Sequence, residues 1–285
     1  MRGIRDRTVL VTGCSSGIGR ATAEGLREAG WRVFPTARHA EDLAALEGEG
    51  FEAVELDLTS SDSIARAAQS VTQRTGGGLG ALVNNAGFGM PGALEDVSRE
   101  ALRRQFEVNV FGLMELTNRW VPVFRRQGFG RVVNVSSVVG CMALPFMGAY
   151  SASKFAVEAL SDALRVELSP DGIGVILVEP GPISTRFSSR CAGEGEAALP
   201  TENSRFGEAY LRYFEKRRNG GMAEDRFRLP PSAVAEKIRR ALESPRPKIR
   251  YRVTLTAHLG CWAARALPAS WIDRMMAAHV KKRFG

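Results

Sequence analysis

The chain has 285 residues, 44% hydrophobic and 25% charged, with a formal net charge of +8. Those proportions belong to a folded, water-soluble chain and exclude a disordered or collagen-like one. No apolar run approaches the ~20 residues of a membrane-spanning helix, and the charged start Met1-Arg-Gly-Ile-Arg-Asp-Arg7 lacks the apolar core of a signal peptide.

The cysteines Cys14, Cys141, Cys191 and Cys261 show no C-x-x-C spacing, and the three histidines are scattered. The pattern predicts neither a metal site nor a disulfide framework, and a reducing cytoplasm as the compartment. Charge is unevenly placed: residues 246–285 hold nine Lys/Arg against Asp273 alone, while the 30 basic and 30 acidic residues before them cancel.

Residues 8–12 (TVLVT) read as an apolar strand, followed by a glycine-rich turn and a helix to about residue 29. Strands are predicted at 31–37, 52–56 and 81–83, separated by helices at 41–46 and 61–74. Ser98 starts a long helix to about residue 126, which Pro122 should kink or divide. A strand at 131–135, a helix at 149–168 and a strand at 174–179 continue the beat. Apolar strands alternating with helices predict a doubly wound parallel sheet covered on both faces. After Pro180 the rhythm stops, and 188–230 reads as a mobile substrate lid with one helix at 208–216. A helix at 231–242 and a strand at 248–253 complete a single domain over 1–253. The remainder, 254–285, reads as two basic amphipathic helices broken at Pro268.

Three features carry chemistry. Gly13, Gly17 and Gly19 lie between the first strand and its helix, where missing Cβ atoms admit a dinucleotide pyrophosphate against a helix N-terminus. At the end of the second strand, Ala37-Arg38 replaces the acid expected for the ribose hydroxyl of NAD. A guanidinium there suits the 2′-phosphate of NADP, with NAD the lesser alternative. Tyr150 and Lys154 are four apart at the start of an apolar-periodic helix, so they stack on one face. The ammonium should pull the phenol pKa down from its usual value near 10. Ser137, at the end of a strand, offers a hydroxyl to the substrate oxygen that Tyr150 protonates.

Together these residues resemble the short-chain dehydrogenase/reductase family, through about residue 185. Its motifs stand here as TGCSSGIG (12–19), DL (57–58), NNAG (84–87), NVFG (109–112), VSS (135–137), YSASK (150–154) and PGPIST (180–185). The resemblance implies a doubly wound (Rossmann) fold. It implies cofactor contacts from Ser15, Ser16 and Ile18 in the turn, and from Asp57 and Leu58 at the adenine. Asn85, Ala86 and Gly87 would lie beside the cofactor, and Tyr150 and Lys154 at the nicotinamide ribose. Pro180, Gly181, Ile183 and Thr185 would meet the nicotinamide side. Asn109 would position a proton-relay water through its helix backbone, and Asn84 would brace the sheet. Where many NADP-binding members carry a basic residue before the second glycine, this chain has Ser16, which leaves the 2′-phosphate mainly to Arg38.

The reaction implied is hydride transfer between nicotinamide and a carbonyl carbon. Cys141, Met142, Leu144, Pro145, Phe146 and Met147, with Phe88 and Met90 opposite and Phe187 on the lid, would line the pocket, and none is charged, so an apolar aldehyde or ketone is expected. The stretch from Gly140 to Leu160 is similar to the subgroup of 17-beta-hydroxysteroid dehydrogenase type 1, retinol dehydrogenases and bacterial NADP-dependent aldehyde reductases. Two other readings share the fold: a non-catalytic NADP sensor or scaffold, and a ketoreductase whose basic surface docks an acyl-carrier protein. A homodimer or homotetramer through the helices at 98–126 and 149–168 is the family's usual assembly. No nucleic-acid module is recognisable. The basic tail either lies on an anionic membrane, covers the substrate mouth, or docks as an extension with a solvated face.

Overall fold

The computed structural model describes residues 6–218 and 228–284. Positions 219–227 of the expected lid, and Gly285 of the tail, lie outside the described residues. Strands β1 (Thr8–Val11), β2 (Arg32–Ala37), β3 (Val54–Glu55), β4 (Ala81–Asn84), β5 (Gly130–Val135), β6 (Ile173–Pro180) and β7 (Arg250–Val253) form one sheet in the order β3-β2-β1-β4-β5-β6-β7. Every described pairing is parallel, with Leu10 opposite Phe34 on one side and Leu82 on the other. This is the doubly wound α/β sheet.

Helices α1 (Gly17–Glu28), α2 (Ala40–Gly48), α3 (Ser61–Thr75), α4 (Arg99–Phe106), α5 (Leu113–Gln127) and α6 (Gly148–Glu167) alternate with the strands. After β6 come α7 (Phe187–Ala198), α8 (Gly207–Arg218) and α9 (Pro231–Glu243), and after β7 come α10 (Leu255–Ala266) and α11 (Ala269–Phe284). Alternation of side chains along each strand splits the interior into two cores. Val9, Val11, Val83 and Val133 face α1 and α9, meeting Ala23, Leu26, Val234 and Ile238. Leu10, Phe34, Leu82 and Val132 face the opposite way, meeting Ile64 of α3, Trp120 and Phe124 of α5 and Leu164 of α6. Each such side chain contributes about 1.5–3 kcal/mol of burial. No helix among the described residues is long and apolar enough to cross a membrane.

Strand order reverses between β1 and β4, so the loops after these two strands diverge and open a crevice at their carboxyl ends. Both motif loops, 12–19 and 84–87, leave the sheet there.

Two elements differ from the sequence expectation. The helix expected from Ser98 is interrupted by a π turn at Glu107–Gly112, whereas Pro122 sits undivided inside α5. The lid region carries two helices instead of one, because α7 forms despite Gly193 and Gly195. Its packing overrides that poor propensity: Ala192 and the following Leu199 bury against Tyr210 and Phe214 of α8.

Candidate active site

The glycine turn is fixed from below by side-chain hydrogen bonds. Thr12 Oγ1 accepts the backbone amides of Asn85 and Ala86, both at 2.9 Å. In return Asn85 Nδ2 donates to the carbonyls of Thr12 (2.9 Å) and Gly13 (3.2 Å), stapling the loops after β1 and β4 together. Gly13 has φ +73°, and a Cβ on it would lie 2.8 Å from the Ala86 Cα. A Cβ on Gly19 would collide with the Gly13 carbonyl. Ser16 stands at the N-terminus of α1 with no side-chain bond to its first turn, so its hydroxyl leaves the amides of that turn uncapped. Ile18 packs on the first core. A backbone cradle this close, ending in a positive helix terminus, fits a dinucleotide pyrophosphate.

Around the cradle, Arg38 is exposed at the end of β2, its guanidinium 3.2–3.3 Å from His39 Nε2. Asp57 Oδ1 accepts the amide and hydroxyl of Thr59 at 2.9 and 2.8 Å, and Leu58 is buried beside it. Thr185 packs against Gly17, its methyl 3.2 Å from where a Cβ would stand. Pro180 ends β6, the Gly181 amide donates to Val253 at 2.9 Å, and Ile183 bridges to Leu229.

Two cations here were not foreseen. Arg190 of α7 donates to the Ser15 hydroxyl at 3.3 Å, and Arg186, just before α7, donates to the Ser15 carbonyl at 3.4 Å. They come from 171 and 175 residues away along the chain. Two guanidinium groups distant in sequence thus stand at a glycine turn that carries no basic residue between Gly13 and Gly19.

Ser137 follows β5, and Tyr150 and Lys154 stand on the first turns of α6. Lys154 Nζ donates to the Val135 carbonyl at 2.8 Å and lies 5.8 Å from the centre of the Tyr150 ring. Asn109, in the π turn, is committed by its side chain: Nδ2 donates to the Phe88 carbonyl (2.9 Å) and Ser153 Oγ (3.1 Å), while Oδ1 accepts the Phe88 amide at 3.1 Å. A π turn loosens the backbone ladder at that place.

Electrostatics depart from the sequence reading. Burial pushes the Tyr150 phenol well above its ordinary value, Cys191 adds to the rise, and the Ser137 hydrogen bond opposes it. Burial pushes Lys154 down to about 8, against the pull of Glu158. Both buried groups disfavour their charged forms, so the expected lowering of the phenol by the ammonium is outweighed.

Beside Tyr150 lies an apolar cavity of about 150 Å³, walled by Leu144, Phe146, Met147, Phe187, Cys191 and Tyr213 among others. The Phe187 ring centre is 5.4 Å from that of Tyr150, so one aromatic ring separates the cavity from the phenol. Phe146 adopts φ +61°, an uncommon backbone for a bulky residue, at this wall. Of the residues expected at the pocket, Leu144, Pro145, Phe146, Met147 and Phe187 line this cavity. Phe88 packs with Met90 and Ala101, and Met142 lies against Gly260 of α10. Cys141 is bonded to Cys261, with Cα atoms 5.2 Å apart, which corrects the expectation that no disulfide forms. Glu179 lies beside that pair, its carboxylate held by Arg250 at 3.0 Å and Arg252 at 2.8 Å.

A sequence profile described as short chain dehydrogenase matches residues 7–193. The uncharacterized oxidoreductase YbbO of Escherichia coli is 41% identical over 96% of this chain and 95% of its own length. The NADPH-dependent 3-dehydrocapnine reductase of Ornithobacterium rhinotracheale is 34% identical over 97% of this chain and 98% of its own. A crystal structure of a short-chain dehydrogenase from Streptomyces avermitilis superposes with TM-score 0.77 at 34% identity, covering 98% of this chain and 96% of that one.

Proposed function

The chain belongs to the short-chain dehydrogenase family and is an oxidoreductase of CH–OH and C=O groups; within that family we propose that it uses NADPH to reduce an apolar aldehyde or ketone of retinoid, hydroxysteroid or fatty-aldehyde type. What supports this is the buried Tyr150, hydrogen-bonded by Ser137, with Lys154 5.8 Å from its ring and Phe187, a wall of an uncharged cavity, 5.4 Å away between ring centres. The preference for NADP rests on cations: Arg186 and Arg190 donate to Ser15 in the glycine turn, and at the end of β2 the exposed Arg38 follows Ala37, where no acid stands. The 3-dehydrocapnine reductase relative is itself described as NADPH-dependent.

When bound, the nicotinamide supplies the hydride that reaches the carbonyl carbon. The chain's own residues handle the oxygen. Ser137 donates a hydrogen bond to it, and Tyr150 passes its proton to it as the carbon becomes tetrahedral. A phenol raised by burial is held protonated at neutral pH, the state an acid needs for reduction. Lys154, as a cation, stabilises the phenolate left behind. Because the Asn109 side chain is taken by Phe88 and Ser153, its share in returning the proton falls to the backbone of the π turn. Asp57 and Leu58 would meet the adenine, and Asn85, Ala86, Gly87, Ile183 and Thr185 the rest of the dinucleotide.

The assembly we propose is a dimer or tetramer through α5 and α6. Phe111, in the π turn before α5, and Phe155 and Val166 of α6 are exposed large apolar side chains on these helices.

The test follows NADPH oxidation against a panel of fatty aldehydes, retinal and keto-steroids. An apolar carbonyl should turn over with the wild type and not with Tyr150→Phe. Full activity in the Phe variant would overturn the acid–base assignment, and tighter use of NADH than NADPH would overturn the cofactor.

A further inference from the structure

Helix α10 presents the wrong side chains to water. Toward the protein it turns small residues, Ala257 and Cys261, both fully buried, while Leu255, Leu259 and Trp262 are 63%, 56% and 60% exposed. Positions i, i+4 and i+7 form one stripe on a helix. In α11, Trp271 and Met275 repeat the spacing at 58% and 54% exposure. A surface helix of a soluble domain ordinarily points its large apolar side chains at the core. Here the gain from burying them is left for something outside the chain.

Alongside the stripe is a recess of about 410 Å³ lined by Lys248, Ile249, Arg250, Arg252, His258 and Arg265. His258 and Arg265 are seven apart on α10, so they share the flank between the stripe and β7. Arg250 is balanced by Glu158, Asp162 and Glu179, and Arg252 by Glu179. Among the described residues no carboxylate pairs with Lys248 or Arg265, so the recess keeps a net positive charge. Residues 246–285 also hold the entire +8 of the chain.

We infer that this face docks on a bilayer containing anionic phospholipid, with a lipid phosphate in the basic recess and the Leu255–Leu259–Trp262 stripe among the acyl chains. Exposed aromatic and aliphatic side chains flanked by uncompensated cations are the composition of an interfacial helix. A second copy of the chain would bring a like charge against this one, and α5 and α6 already offer a separate apolar face for self-association. A soluble phosphate would use the recess and leave the stripe without purpose. The location matters for the substrate: α10 is tied to the segment between Ser137 and the cavity by the Cys141–Cys261 bond and by Gly260 against Val138 and Met142. A lipid-dissolved aldehyde or ketone would be captured next to the wall it must cross.

The experiment floats the full chain with vesicles of phosphatidylcholine plus phosphatidylglycerol, or of phosphatidylcholine alone, at low salt, and reads the tryptophan emission shift. The wild type should partition to the anionic vesicles and be released by salt. Leu259→Ser with Trp262→Ser should lower partitioning at least about tenfold. Lys248→Glu with Arg265→Glu should remove the preference for phosphatidylglycerol. Both double variants should melt like the wild type, which shows that they fold. The inference is overturned if the wild type ignores anionic vesicles, or if either variant partitions unchanged. It is equally overturned if the serine variant only splits an oligomer in light scattering. A melting shift with inorganic phosphate, without vesicle binding, would reassign the recess to a soluble anion.

Discussion

The floor and the roof of the dinucleotide crevice are built by opposite means. The floor is backbone: Gly13 and Gly19 in close approach, Thr12 and Asn85 exchanging hydrogen bonds across the loops after β1 and β4. The roof is long side chains, Arg186, Phe187 and Arg190, reaching down from and just before α7. A backbone floor is rigid and indifferent to which cofactor lies on it. A roof of flexible side chains can select, because each guanidinium adds a charge that a 2′-phosphate or diphosphate can answer.

That contrast can be broken by mutation. The largest effect should come from chemistry common to both walls: Tyr150→Phe should lower kcat about 1000-fold with NADPH affinity retained, measured by stopped-flow oxidation and cofactor fluorescence. Equal loss of binding would mean that the phenol is part of the floor instead.

Next is the cost of the buried ammonium. The Lys154 pKa is depressed from 10.5 to about 8 in the fold, so between those pH values the unfolded chain binds more protons than the native one. Native stability should therefore rise with pH across that window, by up to about 3 kcal/mol, and Lys154→Met should flatten the rise. Denaturant melts of the unliganded protein at a series of pH values decide it. A parallel rise in both proteins would assign it to another group.

The smallest effect tests the roof directly. Arg186→Ala and Arg190→Ala should each weaken NADPH binding about tenfold and NADH binding less, with the difference shrinking in high salt. Equal losses for the two cofactors would place the guanidinium on the shared diphosphate. No loss for either would leave Arg38 as the selecting cation.

The same contrast explains what could be read from the chain alone. Strand-turn-helix punctuation and the four-residue step from Tyr150 to Lys154 are local geometry, and local geometry leaves a spacing in the sequence. Arg186 and Arg190 reach Ser15 across 171 and 175 residues, and no spacing records that. Cys141 and Cys261 are 120 residues apart and carry no pairing signal of their own. Pro122 is the strongest breaker in the helix expected over 98–126, yet the interruption falls at Glu107–Gly112, where the Asn109 side chain ties the helix to Phe88 and Ser153. The pH behaviour of Tyr150 departs from the sequence expectation for a related reason: proximity to Lys154 shows in the spacing, while depth of burial shows only in the fold.

Thr12 has a consequence of its own. One oxygen receives two neighbouring amides, so the gap between two strand ends is gauged by a single atom. Valine would copy the outline and leave both donors facing a methyl group, whereas serine would keep the gauge and lose only the methyl. The width of the slot is thus inherited from a hydroxyl beneath it, and the glycines above merely make use of the room.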